Sequence, residues 1–152
     1  MRVFYRLIIT AVILMIGACA LKAYKKEGAL ARVVFLYELG AFMCGIIFLV
    51  YTYVPGTTIT VLCKGLIMAS FDWLLVLLMY YTQYYTGMFK GIVGVKIFMI
   101  AYSLLETVAF LINTWTRWIF DITDISDDQI IVQFAKGNVL GRLHYVFAYG
   151  IM

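Results

Sequence analysis

The run Leu7-Ile8-Ile9-Thr10-Ala11-Val12-Ile13-Leu14-Met15-Ile16-Gly17-Ala18-Cys19-Ala20-Leu21 carries no charge, and its reading decides the fold class. It is the core of an apolar segment from Val3 to Leu21, close to the roughly 20 residues a helix needs to cross about 30 Å of hydrocarbon. Three more segments of the same kind succeed it, Ala29 to Val54, Ile59 to Tyr85 and Gly91 to Ile112. Pro55-Gly56 separates the second from the third, as a helix-breaking dipeptide should. The links Lys22 to Gly28, Pro55 to Thr58 and Thr86 to Lys90 are short, so neighbouring helices run antiparallel.

Composition agrees with lipid as the solvent. Of 152 residues, 65% are hydrophobic, 17% aromatic and 13% charged, whereas a soluble domain carries about 25% charged residues. The net charge of +4 comes from basic residues scattered between apolar runs. Nucleic-acid binders gather theirs on one face or stripe, so no nucleic-acid partner is expected. Cys19, Cys44 and Cys63 are odd in number and unpaired in spacing, which implies neither a disulfide framework nor a metal knuckle.

The first segment also has signal-peptide features: Arg2 and Arg6 in front, and Ile16-Gly17-Ala18-Cys19 resembling a lipoprotein cleavage box. The chain after Cys19 continues as membrane helices rather than as a secreted domain, so an uncleaved span is expected.

After Ile112 the texture changes. Residues 113–142 form a loop or hairpin: Trp118, Phe120 and Ile122 alternate with Ile119, Asp121 and Thr123, the turn Ser126-Asp127-Asp128 comes next, and Ile130 to Phe134 is rich in β-branched residues. That order predicts a β-hairpin outside the membrane, with a short amphipathic helix as the rival. Leu143 to Met152 opens a fifth apolar helix of only about 15 Å, half a crossing, so the chain reads as a truncated transmembrane domain over 1–152. The fold expected is an all-α integral membrane helical bundle with four full transmembrane helices, the start of a fifth, and an extracytoplasmic β-hairpin.

Three carboxylates lie within the spans: Glu38, Asp72 and Glu106. Each costs roughly 2.5–3.5 kcal/mol to place in lipid and should therefore face protein or water. Helical rise puts Glu38 about 14 Å and Asp72 about 20 Å along antiparallel neighbours. The two are expected to meet near mid-membrane as a ligand-, ion- or proton-responsive polar core, or each to hydrogen-bond a tyrosine or threonine. Glu106 lies nearer the hairpin end and is the candidate to contact a ligand entering there. Lys64 and Lys96 should snorkel, and Tyr80, Tyr81, Tyr84, Tyr85, Trp115 and Trp118 suit interfacial belts.

Catalytic and metal residues are not expected. His144 is the only histidine, and a lone histidine builds neither a zinc site nor a triad without partners. Asp121, Asp124, Asp127 and Asp128 lack the glycine and glutamate of a calcium loop. Gly137 and Gly141 lie outside the spans and form no convincing helix-dimer seam. No cofactor is expected.

Several ordered patterns resemble the N-terminal seven-transmembrane sensor region of bacterial histidine kinases and diguanylate cyclases. Arg32, Phe35 and Glu38 stand where that family has Arg-x-x-Phe and an acidic residue. Trp73 to Tyr80 with Tyr85-Thr86-Gly87 behind it resembles its aromatic run and corner. Asn113, Trp115, Trp118 and Phe120 resemble the positions after its fourth helix, though Thr116 or Arg117 replaces a common histidine. Asn138, His144 and Tyr149 resemble the opening of its fifth, with the glycine displaced to Gly137. The resemblance implies a plasma-membrane, multi-pass sensory input domain with an outside amino terminus. It also implies two more helices and a cytoplasmic output domain beyond Met152 as partner; a homodimer is compatible with it. The alternative is a fragment of a small-solute transporter or channel using Glu38 and Asp72. Charge alone leaves orientation a near tie, with Lys22, Lys25 and Lys26 the densest basic group.

Overall fold

Long apolar runs without interior proline close their own backbone hydrogen bonds most simply as helices, and the described residues of the computed structural model form five: α1 Arg2–Tyr24, α2 Ala29–Tyr53, α3 Thr57–Thr86, α4 Val93–Thr116 and α5 Val139–Gly150. Two strands, β1 Phe120–Ser126 and β2 Gln129–Phe134, intervene between α4 and α5. The structure describes residues 2–54, 56–88, 91–126, 129–135 and 138–150. The first four helices are long and apolar enough to cross a membrane. Their outward faces stay apolar, with Leu14, Met15, Phe98 and Leu105 all exposed. Water would disfavour such a surface; hydrocarbon would not.

Helix α3 is the hub. It packs against α2 and α4, and it also meets both strands and α5, while α1 packs on α2. Its buried stripe Val61, Gly65, Ala69, Asp72, Val76, Met79 advances in steps of four and three, the spacing of one helical face. The facing stripe of α4 is Met99, Ser103, Glu106, Phe110, Asn113. At Gly65 a Cβ would lie 3.1 Å from the Phe110 carbonyl oxygen, so glycine permits the close approach of α3 and α4. By contrast, among the described residues α2 buries only Val33. At the other end of the α1–α2 pair, the Arg6 guanidinium donates to the Thr52 carbonyl at 2.8 Å and lies 4.3 Å from the Tyr53 ring centroid. This satisfies a carbonyl the helix terminus leaves over.

The hairpin is antiparallel, with Phe120 opposite Phe134 and Ile122 opposite Val132, and an irregularity between Ile122 and Asp124. It does not stand apart from the bundle. Ile119, Phe120 and Val132 are buried with Val61, Ala69 and Phe110 in one apolar cluster. The expected alternation fails at its start: Trp118 is exposed and Ile119 buried beside buried Phe120. The reason is that β1 begins only at Phe120, leaving Ile119 in the bend after α4.

Candidate functional site

Five local devices bring one group of polar residues together. Trp73 Nε1 donates to Thr107 Oγ1 at 3.0 Å, pinning α3 to α4 one residue beyond Asp72 and Glu106. Helix α4 ends on Arg117, whose φ of 51° is left-handed and whose N–H reaches the Asn113 carbonyl at 2.9 Å. Asn113, fully buried, then turns the chain: its Oδ1 accepts the Ile119 N–H at 2.6 Å and the Phe120 N–H at 3.2 Å. Asn138 caps α5, its Oδ1 accepting from Gly141 N at 3.1 Å while its Nδ2 donates to the Trp118 carbonyl at 2.9 Å. Gly141 is buried beneath the Phe134 ring, where a Cβ would come within 2.5 Å. The hairpin and α5 therefore lock together, and α5 projects His144 inward.

His144 lands between two carboxylates. Its Nδ1 lies 2.8 Å from Glu106 Oε2 and 3.3 Å from Asp72 Oδ1. An ionised carboxylate only accepts hydrogen bonds, so the nitrogen facing it carries the ring proton. Asp72 is 0% exposed, Glu106 1% and His144 3%. The other Glu106 oxygen accepts from the Tyr102 hydroxyl. Rings close the surroundings, with Phe110 edge-on to His144 at 5.7 Å and Phe134 at 6.3 Å.

One residue of the three is left short. Both Asp72 carboxylate oxygens are buried and, among the described residues, without a well-directed hydrogen-bond donor, although His144 Nδ1 is 3.3 Å from one of them. The two observations agree once direction is considered: a single N–H serves the nearer Glu106, and Asp72 receives proximity to that group without a bond. A buried acceptor with no donor costs about 1–3 kcal/mol, and more when charged.

Two sequence expectations are corrected by this geometry. The carboxylate that meets Asp72 is Glu106, not Glu38, which sits half-buried on α2 outside the group. Depth along a helix suggested Glu38, but rotation about the helix axis decides which neighbour a side chain faces. His144 is not without partners; the fold supplies two from helices 38 and 72 residues earlier in the chain. Donor atoms of Asp72, Glu106 and His144 all lie within 4.8 Å of one another, so the three are near enough to share one ion. Asn113 proves to be the corner residue. Tyr149 belongs to α5, and its side chain lies outside the described residues, as do Asp127, Asp128 and Gly137.

The signal that could have found the site is the α4 stripe. Ser103, Glu106 and Asn113 share one face with Met99 and Phe110, and Gly141, His144 and Phe147 repeat at intervals of three on α5. No family model, curated protein or solved structure matches the chain.

Proposed function

We propose that the chain is the sensory input domain of a multi-pass plasma-membrane protein. In this reading a ligand at the Asp72–Glu106–His144 group biases how α5 packs on α3 and α4. The observation that carries it is Asp72, wholly buried, its two oxygens without donors, at the junction of three helices. Such a group is poorly satisfied by the protein alone, so whatever completes it acquires differential affinity for the packing that assembles it. Differential affinity is what a ligand needs in order to shift an equilibrium.

The remaining features support the same reading. The hairpin caps the group from the side where α4 ends and α5 begins, which is the external face if the amino terminus is outside. Movement of α5 then passes to an output domain outside this chain, a kinase or a cyclase as the family resemblance implies. No nucleic acid takes part.

The test uses the full-length membrane protein in its native membrane with the output activity as readout. Asp72→Asn should lock the output at one level, while Asp121→Asn, at an exposed position of β1, should leave the response intact. If instead vesicles containing the membrane domain alone carry net solute flux that Asp72→Asn abolishes, the transporter reading replaces this one.

A further inference from the structure

We propose that Asp72, Glu106 and His144 bind one divalent first-row transition-metal ion, and that this ion is the ligand of the sensory site just described. The role of the ion rests on that sensory reading; its existence rests on geometry. Each residue offers one donor atom, and the donors lie within 4.8 Å of one another, in a group that is at most 3% exposed. The second, independent observation is the Asp72 carboxylate: it points at His144 Nδ1, it is fully buried, and both its oxygens lack a donor.

Charge makes a dication a better occupant than the protein's own hydrogen bonds. His144 has one N–H to give on this side and spends it on Glu106. That leaves the Asp72 carboxylate without a well-directed donor of its own, sharing the His144 N–H only by proximity beside a second carboxylate. A dication bound by two carboxylates and a neutral imidazole gives a net charge of zero and satisfies all three groups. It takes the position of the Nδ1 proton: an imidazolium releases that proton on binding, and a neutral ring moves it to Nε2, so the bound ligand is the neutral imidazole.

Distances suit an ion of this size. Bonds of about 2.0–2.1 Å in a tetrahedral site hold donor atoms roughly 3.4 Å apart. The Asp72–His144 pair is already at 3.3 Å, and the Glu106–His144 pair at 2.8 Å would open slightly. The nitrogen donor favours the zinc, cobalt, iron or manganese class over calcium or magnesium, which prefer six or more oxygens. Tyr102, donating to the far oxygen of Glu106, orients that carboxylate and leaves Oε2 toward the ion. Outer partners of this kind change affinity by about 10–100-fold.

The experiment uses the full chain, purified in detergent, stripped with chelator and titrated with Zn2+ and with Co2+ as a visible-absorption probe. One equivalent should bind per chain, with Co2+ giving the strong absorption of a low-coordinate site, and a large excess of Mg2+ should not displace it. Asp72→Asn should weaken binding by roughly 100-fold or more, and Tyr102→Phe by about 10-fold. His144→Cys guards against variants that merely misfold: a thiolate ligand should add a sulfur-to-cobalt charge-transfer band that the parent chain lacks. Absence of stoichiometric binding by the parent overturns the proposal. So does binding that neither Asp72→Asn nor His144→Cys alters. Binding is read from the spectrum and sensing from the output activity, so the metal site and the sensory role fail separately.

Discussion

Trp73 and Thr107 are joined by a 3.0 Å indole-to-hydroxyl hydrogen bond, and each stands one residue after a buried carboxylate, Asp72 and Glu106 respectively. The bond sets the axial register of α3 against α4 beside the carboxylates. With Gly65 allowing the two backbones to approach at Phe110, it makes α3 and α4 a fixed platform. Helix α5 is different. It reaches the platform through His144 and through Phe147, whose ring centroid lies 4.2 Å from that of Tyr102.

Removing His144 should destabilise the bundle more than its size suggests. His144→Leu leaves two buried carboxylates facing one another without a cation, a loss of about 3–5 kcal/mol for broken buried pairs. Converting all three residues together, Asp72→Leu with Glu106→Met and His144→Leu, should recover most of that loss because no charge remains stranded. Thermal unfolding in detergent reads both. A His144→Leu midpoint equal to the parent's would show that the carboxylates are not strained by its absence.

Asn113→Ala should loosen the corner between α4 and the hairpin. It removes the acceptor of two buried backbone N–H groups, those of Ile119 and Phe120, at about 1–3 kcal/mol for each group left unpaired. Amide hydrogen exchange at Ile119 and Phe120 should accelerate while exchange in α1 stays unchanged. Equal protection in the variant and the parent would mean the hairpin is held by its apolar contacts alone.

Gly141→Ala should separate α5 from the hairpin. The added carbon would come within 2.5 Å of the Phe134 ring, and overpacking of this kind costs about 1–3 kcal/mol. Phe134→Leu should partly restore stability in the double variant. Gly94→Ala, where nothing lies within 4 Å, should be neutral or slightly stabilising. A Gly141→Ala chain as stable as Gly94→Ala would sink the close-contact argument.

Orientation is open to direct measurement. With the amino terminus outside, cysteine placed at Asp121 should react with an impermeant thiol reagent in intact cells, and cysteine at Lys25 should not. Both positions are exposed, so access rather than burial governs the outcome. The parent chain, with Cys19, Cys44 and Cys63, supplies the background. Labelling at 25 alone would invert the topology and place the hairpin in the cytoplasm.

Local pattern was enough for the four long apolar helices, their order and short links, and it favoured the hairpin over a short amphipathic helix. Those features depend on run length, β-branching and the turn residues between runs. The helix at Leu7 to Leu21 and the hairpin around Ser126 could both be read without knowing what surrounds them. The site was settled only by packing. Whether Asp72 meets Glu38 or Glu106 depends on how α3 is rotated toward α2 or α4, and depth along a helix carries no information about that rotation. The sequence reading favoured Glu38 over Glu106 as the neighbour of Asp72, yet it is Glu106 that lies on the buried stripe α4 turns toward α3. His144 needed more still. Its partners come from elements far away in sequence, and they meet only because Asn113 turns the chain, Asn138 caps α5 and Gly141 lets Phe134 close over it. The spacing of Gly141, His144 and Phe147 marks a buried face of α5, but only three-dimensional packing decides which residues that face meets.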